Sequence, residues 1–472
     1  MPEGPLSAEP RRVAIVGAGP AGFYAAEALL RHAEAESGWN VEVDMFDRLC
    51  TPFGLVRHGV APDHLKIKNV TNAFANIAGM PGFRFYGNVE YGVDITLDDL
   101  RRHYHQVIFA TGAQTDRRLN IPGEDLERSH PATDFVAWYN GHPEFRDFEF
   151  DLQQESAVIV GVGNVALDVA RILCLDAEEL HASDMAPHAV ETLSRSRVRD
   201  VYLLGRRGPA QAAFTNPELK ELGGLHDTDV VIDPAEAELD PVSAEDVAEA
   251  GDRTVLRKVE LIKDYAQRQP AGRSHRLHFR FLVSPTEIVD DGTGAVGGVN
   301  AVRNVLSRSE TGTIVSSPTA ETERIDCGLV FRSVGYRGVP LPGVPFHERW
   351  AIVPNVHGRV VDPGNGDRQV PGLYVTGWIK RGPSGVIGTN KPDAVETVSA
   401  MLEDQQAEHT LAPEDPSPAA VDALLEARGC TPVSFADWIR LDEMERQRGE
   451  EAQRPRIKFT SSDEMLEALG RA

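Results

Sequence analysis

The sequence predicts an α/β protein built on two Rossmann-like dinucleotide-binding folds, with a helical C-terminal tail. Three observations predict it. A short β-branched apolar run, Val13 to Val16, leads into Gly17, Gly19 and Gly22, a complete G-x-G-x-x-G, and then into an Ala- and Leu-rich stretch, Phe23 to Leu30. The same strand–turn–helix pattern returns at Ala157 to Leu173, with Gly161 and Gly163 in the first two glycine places and Ala166 in the third. From about Glu403 the chain turns acidic and carries three amphipathic segments, VDALLEARG, PVSFADWIRLDEMERQRGE and DEMLEALG.

Each element has a physical reason. In the first loop Gly17 permits the tight turn, Gly19 lets backbone N–H groups approach a pyrophosphate, and Gly22 lets the helix pack on the strand. Val41 to Asp47 is a second strand ending in an acid, 25 positions after Gly22, close to the spacing of about 20 expected of this fold. Asp47 would accept hydrogen bonds from ribose hydroxyls. Thr51 to Asn69 is too rich in Gly and Pro for a helix and reads as a long ordered loop that covers something. His105 to Gln114 is an apolar strand ending in Ala110-Thr111-Gly112.

In the second copy the strand after the helix ends at Gly205, and Arg206 and Arg207 stand where a carboxylate would sit. A carboxylate would repel a 2′-phosphate, whereas two guanidiniums would bind it. The asymmetry fits FAD in the first fold and NADP(H) in the second. A polar insert around Asp176 to Asp200, broken by Pro187, explains the long gap between helix and strand. Asp233 to Asp252 is acidic and Ala-rich, and reads as an exposed loop with a short helix. Gly372 to Val398 reads as strand, glycine-rich loop and helix. Pro413, Pro416 and Pro418 mark a linker, beyond which helices are expected on the outer surface of the first domain.

The 472 residues suggest two or three domains, and a hydrophobic content of 41% rules out disorder as the main state. The net charge of −24 argues against a general nucleic-acid binder. Cys50, Cys174, Cys327 and Cys430 lie far apart with no CxxC, which disfavours a zinc site, a redox dithiol or an iron–sulfur cluster in this chain. No metal is expected, and single reduced thiols suit a cytoplasmic protein. MPEGPLSAEP does not read as a signal peptide, and Val13 to Ala26 is too short for a membrane span of about 20 residues.

The blocks VGAGPAGF, TPFGLVRHGVAPDH, GNVALDVARIL, GRRGPAQAAFT, RSVGYRG and GWIKRGPSGVIGTNK together resemble the adrenodoxin-reductase-like ferredoxin–NADP⁺ reductases of the glutathione-reductase fold type, from Arg12 to about Val398. The resemblance implies an FAD domain made from residues 1–112 and 332–404, an NADP domain inserted at 113–331, and a C-terminal extension at 405–472. It implies that Gly17, Gly19 and Ala21 lie along the FAD pyrophosphate. Asp47 stands where the family usually has Glu. Gly54, Leu55 and Val89 would line the flavin, Trp378 would lie against its ring, and Gly385, Val386 and Ile387 would offer it backbone N–H groups. Gly385 would also meet the nicotinamide side. Gly163, Asn164 and Val165 would hold the NADP pyrophosphate beside Gly161, with Val162 replacing an Asn seen in some relatives. Arg206, Arg207 and Glu218 would grip the 2′-phosphoadenosine end.

The resemblance also places His64 near the flavin's reacting edge, with Glu221 as a carboxylate pairing with it; such a pair would tune the flavin's charge and protonation. Thr215-Asn216-Pro217-Glu218 is in addition a T-x-x-E capping box, giving Glu218 a second role at a helix start. The implied activity is that of a ferredoxin–NADP⁺ reductase. NADPH would give a hydride to FAD, and single electrons would pass to a ferredoxin-type iron–sulfur partner. The partner would dock on a local basic face, either Arg195, Arg197 and Arg199 or Arg253, Arg257 and Lys258. The protein is expected to be a monomer without nucleic acid or membrane span. The alternatives are an NADPH diaphorase with another electron carrier, a glutamate-synthase-type reductase, which would need a cysteine-rich cluster domain, and a nucleotide-sensing scaffold.

Overall fold

The computed structural model describes residues 10–35 and 40–471; the N-terminal segment read as unlike a signal peptide lies, up to residue 9, outside the described residues. The chain divides into two compact units. The first comprises the residues up to Val60, His64–Thr115 and Tyr336 onward; the second comprises Ala61–Asp63 and Asp116–Gly335. The sequence put these edges at 112/113 and 331/332. It did not foresee that the chain joins the second unit for three residues at Ala61–Asp63, nor that the tail belongs to the first unit's body.

The first unit is built on a seven-stranded sheet in the order Asn355–Val356, Arg359–Asp362, Arg368–Val375, Gln106–Phe109, Arg11–Val16, Val41–Phe46, Phe83–Tyr86. The last five are parallel. Arg11–Val16 is central and its residues from Val13 on are buried, which accounts for its unbroken apolar run. Strand order reverses between Arg11–Val16 and Gln106–Phe109, so their carboxyl ends form the switch point where such sheets bind ligands. The helix after the glycine turn runs over Pro20–Ala35, longer than the sequence suggested, and packs on Asn390–Gln406. The loop expected at Thr51 to Asn69 contains two single-turn helices, Leu55–His58 and Leu65–Lys68.

The tail departs most from expectation. Its helices, Pro418–Ala427, Phe435–Glu451 and Ser462–Ala468, are where the amphipathic segments put them. They are not an outer layer. Val421 and Leu425 are fully buried with Tyr104 and Val107, and Val433, Trp438, Leu441, Phe459 and Met465 share a core with Ile15, Phe23, Phe53 and Phe85. Gly87 and Val433 exchange two backbone hydrogen bonds of 2.8 Å just beyond the strand Phe83–Tyr86, which caps an end of the edge strand. Buried charge adds to this. The fully buried Asp44 takes the Arg12 guanidinium, Arg84 at 2.7 and 2.8 Å and the Tyr104 hydroxyl at 2.6 Å. Arg12 reaches on to the Pro416 carbonyl at 3.0 Å, and Tyr86 donates to Asp422 at 2.6 Å.

The second unit has a six-stranded parallel sheet in the order Ser129–Pro131, Leu329–Arg332, Ser156–Val160, Asp200–Gly205, His275–Phe281, Thr228–Ile232. A three-stranded antiparallel sheet, Val283–Asp290, Val296–Arg308 and Ile314–Ile325, accompanies it. The insert holds the helices Ala177–His181 and Pro187–Leu193; Pro187 opens the second of them, where its missing N–H costs nothing. The acidic stretch Asp233 to Asp252 is not simply exposed. It forms Pro234–Ala237 and Pro241–Ala250, and Glu236 is buried, accepting from Arg303 at 2.7 Å, Arg280 at 3.1 Å and the Phe281 N–H at 2.8 Å.

Because Trp438 is 4% exposed within the first unit's core, Trp438→Ala should cost about 3–5 kcal/mol of stability in urea unfolding, the usual range for a large core residue cut to Ala. A change below 1 kcal/mol would mean that the tail is a surface layer after all.

Candidate functional site

Two glycine loops occupy the carboxyl ends of the two parallel sheets. In the first unit Gly17 has φ +111°, and a Cβ there would lie 2.6 Å from the Ala110 carbonyl oxygen. Only hydrogen fits, so the turn that ends the central strand lies directly against the turn that ends its neighbour. A Cβ on Gly22 would lie 2.2 Å from the Gly17 carbonyl oxygen, which is the close helix approach the motif predicts. Gly19 differs: a Cβ there would meet no atom within 4 Å. Its backbone faces open space at the start of a 16-residue helix, the arrangement that suits a polyphosphate.

Asp47 flanks this loop. Its carboxylate accepts the Ala18 N–H at 2.8 Å and the Leu49 N–H at 3.0 Å. Burial pushes its carboxyl up, against the opposing pull of those two donors and of Arg48. Each oxygen keeps a lone pair for a further donor. Phe53 donates its N–H to the Ala18 carbonyl at 2.8 Å, and Gly54, at φ +49°, lies against the Gly19 Cα. Leu55, 36% exposed, opens the turn Leu55–His58 beside them. Val89, one of the residues expected to line the flavin, is 1% exposed; its N–H donates to the Asp47 carbonyl at 2.9 Å, so it supports the loop from the core. His64 directly precedes the turn Leu65–Lys68.

The glycine-rich segment near the C-terminal end of the same sheet packs on this loop, because Gly377 approaches Ala21 so closely that a Cβ would stand 2.6 Å from the alanine's. Asp393 holds the segment. It accepts from the Gly377 N–H at 2.6 Å, the Thr376 hydroxyl at 3.1 Å, Arg381 at 3.0 Å and Lys380 at 3.1 Å. Half-buried Trp378 donates Nε1–H to the Ser384 carbonyl at 3.0 Å, with its ring 5.4 Å from that of Tyr336. Gly385 has φ +81°, and Ile387 opens a 3₁₀ turn, Ile387–Thr389. One donor expected here is engaged: the Val386 N–H goes to the Thr389 hydroxyl at 3.1 Å, because that hydroxyl caps the turn.

In the second unit Gly161, at φ +132°, lies where a Cβ would stand 2.1 Å from the Ser333 carbonyl oxygen, the counterpart of the Gly17–Ala110 approach. Gly163 begins the helix Asn164–Cys174 and, like Gly19, has open space around its missing side chain. Val165 packs on the unit's core. Asn164 accepts the Thr215 N–H at 2.9 Å, so its amide positions the segment leading to the helix Asn216–Leu222. That contact replaces the expected capping box, since Thr215 makes no side-chain cap bond and a proline occupies the first turn. Half-buried Glu218 lies in that first turn.

Arg206 is exposed and Arg207 half-buried. Burial first, and then the Arg206 charge, hold the Arg207 guanidinium below its usual range. Two adjacent cations without an ion pair among the described residues are suited to an anion. Their backbone is pinned: Asn304 donates to the Arg206 carbonyl at 2.9 Å, and the Leu282 N–H to that of Arg207 at 3.2 Å.

Glu221 is exposed at the end of its helix, 3.5 Å from Arg171. Arg171, which the sequence did not single out, is 3% exposed; it also holds Asp63 at 2.8 Å and Asp168 at 2.8 Å. The proposed basic faces change too. Lys258 is 7% exposed and gives its ammonium to the Ala212 carbonyl, so it cannot belong to a docking surface. Arg195 pairs with Glu191 and Arg197 with Glu155. Arg257 likewise pairs with Glu260 at 3.0 Å, but Arg253 and Arg257 are exposed on the helix Arg253–Ala266, with Leu256, 42% exposed, between them.

Comparison with known proteins agrees with this fold. Residues 11–203 match the pyridine nucleotide-disulphide oxidoreductase family. The chain is 46% identical to the NADPH-ferredoxin reductase FprA of Mycobacterium tuberculosis, covering 97% of this chain and 98% of that protein. It is 43% identical to the mitochondrial NADPH:adrenodoxin oxidoreductase of Homo sapiens, covering 97% and 92%. The structure of Mycobacterium tuberculosis FprA in complex with NADPH superposes with a TM-score of 0.92 at 45% identity, over 98% of this chain and all of that one. With such identity along nearly its whole length, the chain belongs to the family of NADPH–ferredoxin and NADPH–adrenodoxin reductases.

Proposed function

We propose that this protein is an NADPH-dependent flavoenzyme, a ferredoxin–NADP⁺ reductase, that takes a hydride from NADPH onto FAD and passes single electrons to a ferredoxin-type iron–sulfur protein. One observation carries the reading: two nucleotide loops of the same geometry end in opposite charge, the Asp47 carboxylate in one and Arg206 with Arg207 in the other. FAD, when bound, supplies a centre that accepts a hydride and gives up electrons one at a time. Gly17, Gly19, Ala21 and Gly22 cradle its pyrophosphate, and Asp47 accepts its ribose hydroxyls. Gly54, Leu55, Trp378, Gly385 and Ile387 orient the ring system, with Val89 and Val386 supporting the loops they belong to. Gly161, Gly163, Asn164 and Val165 form the NADP pyrophosphate loop, and Arg206, Arg207 and Glu218 bind the 2′-phosphoadenosine end.

His64 and Glu221 act near the reacting edge, where they tune charge and protonation; Arg171, 3.5 Å from Glu221, positions that carboxylate. The exposed Arg253–Arg257 face docks the acidic iron–sulfur protein, with Leu256 as an apolar contact inside a charged rim. We place the protein in the cytoplasm, where Cys50, Cys174, Cys327 and Cys430, all free thiols, would stay reduced. Among the described residues no helix is long and apolar enough to cross a membrane. One chain supplies both loops, so a monomer suffices.

Purified protein should be yellow, and NADPH should bleach the bound flavin much faster than NADH; a colourless preparation that takes up no FAD would sink the reading. Arg206→Ala/Arg207→Ala should raise KM for NADPH by about tenfold to a hundredfold per lost charge-assisted contact, at about 1.5–3 kcal/mol each, with little change for NADH. Arg253→Glu/Arg257→Glu should raise KM for ferredoxin in cytochrome c-coupled turnover while NADPH oxidation by a small dye stays unchanged. An unchanged KM would remove that face from the interface.

A further inference from the structure

The sequence set the C-terminal segment apart from the chemistry, yet a single buried ion pair ties it to the loop that touches the first glycine turn. Arg57 lies in the turn Leu55–His58, three residues beyond Gly54, and Gly54 packs on the Gly19 Cα. Arg57 is 5% exposed and makes a two-bond contact with the carboxylate of Glu445, which is 0% exposed on the helix Phe435–Glu451; the Nη1–Oε2 arm is 3.0 Å. The two residues are 388 positions apart. The Arg57 guanidinium also lies 4.9 Å from the centre of the Trp438 ring, and Trp438 meets Phe53 edge-on at 5.8 Å. Glu445 in turn accepts from Arg456 at 3.1 Å and from the Phe459 N–H at 2.9 Å, while Lys458 donates to the Arg57 carbonyl at 3.4 Å. The loop residues Phe53 to Arg57 are therefore held from one side by Gly19 and from the other by the tail.

Ordinary core packing does not require this pair. A guanidinium and a carboxylate withdrawn from water are costly unless their geometry and remaining hydrogen bonds are satisfied, and apolar residues of similar size would hold the tail as well or better. What the pair adds is direction: a forked contact fixes the angle of the loop carrying Gly54 and Leu55.

We propose that Glu445 is a positioning residue for the flavin site, acting through Arg57, so that the tail residues Phe435 to Phe459 set how tightly FAD is held. This rests on the assignment of FAD to the Gly17–Gly22 loop. It makes binding reciprocal: FAD in the loop must also order the tail.

FAD binding, turnover and hydrogen exchange test it. Apoprotein of the wild type and of Glu445→Gln is titrated with FAD, and turnover with a dye is measured with saturating FAD. The variant should show at least a tenfold rise in Kd for FAD and an altered visible absorption of the bound flavin, with KM for NADPH unchanged within twofold. In an Arg57→Met/Glu445→Met double variant, which keeps apolar packing but removes the forked contact, Kd should stay raised; full recovery to the wild-type Kd overturns the positioning role. Hydrogen exchange of wild-type apoprotein and holoprotein does not depend on any variant folding. Amides of 435–459 should slow at least tenfold on FAD binding, together with those of 53–58. Unchanged tail exchange, or unchanged Kd and absorption in Glu445→Gln, overturns the proposal. Failure of wild-type protein to bind FAD would instead overturn the functional assignment.

Discussion

The first unit depends on the contact between Gly17 and Ala110. The central strand and its neighbour both end there, and the 2.6 Å left for a Cβ admits only hydrogen. The consequences run outward from that point. With Gly17 seated, the helix Pro20–Ala35 starts close enough to its strand that Gly22 also has no room for a side chain. The Ala18 N–H then meets Asp47, and the Ala18 carbonyl meets Phe53, at 2.8 Å each. The stretch from Asp47 to Phe53 and the turn at Ala110 converge on two adjacent residues. The second unit repeats the device at Gly161 and Ser333 with different surroundings. The shared geometry suits a phosphate, and the residues at the end of the next strand differ in charge, Asp47 in one unit and Arg206 with Arg207 in the other.

Charge is organised by place. The chain carries a net charge of −24, yet its buried carboxylates each gather guanidiniums from remote segments: Asp44 with Arg12 and Arg84, Glu236 with Arg280 and Arg303, Glu445 with Arg57 and Arg456. Removing the carboxylate of such a cluster leaves its guanidiniums uncompensated in a medium that solvates them poorly, typically a loss of about 3–5 kcal/mol. Each therefore discriminates strongly against any arrangement in which its two segments do not meet. The Arg206–Arg207 pair is the inverse case, two like charges with no carboxylate partner among the described residues, as expected where the counter-charge arrives with a ligand.

Much of this was legible in the sequence, for a local reason. The glycine spacing, the acid at Asp47 and the arginines after Gly205 are read over a few residues, and the constraints they express act over the same short range. Helix positions in the tail were legible by the same logic, since amphipathic periodicity is a local property. Their packing was not, because periodicity shows that a face is buried but not against what. Local patterns also misled. The T-x-x-E at Thr215 suggested a cap, but the Thr215 backbone bonds to Asn164, 51 residues away. Lys258 read as one of a run of surface cations, yet it lies on the buried side of its helix, with its ammonium on the Ala212 carbonyl.

By itself, the sequence determined that this chain makes two dinucleotide folds and that their loops end in opposite charge. It could do so because turn, phosphate cradle and terminal charge are set by neighbouring residues and by backbone geometry that only particular residues allow. Tertiary structure alone decided which charges are paired and which are left available. It buried Glu445 against Arg57, placed Arg171 among Asp63, Asp168 and Glu221, drew Lys258 inward, and left Arg206 and Arg207 without an acid among the described residues. Burial and partnership are properties of what packs around a side chain, and here those neighbours come from as far as 404 residues along the chain.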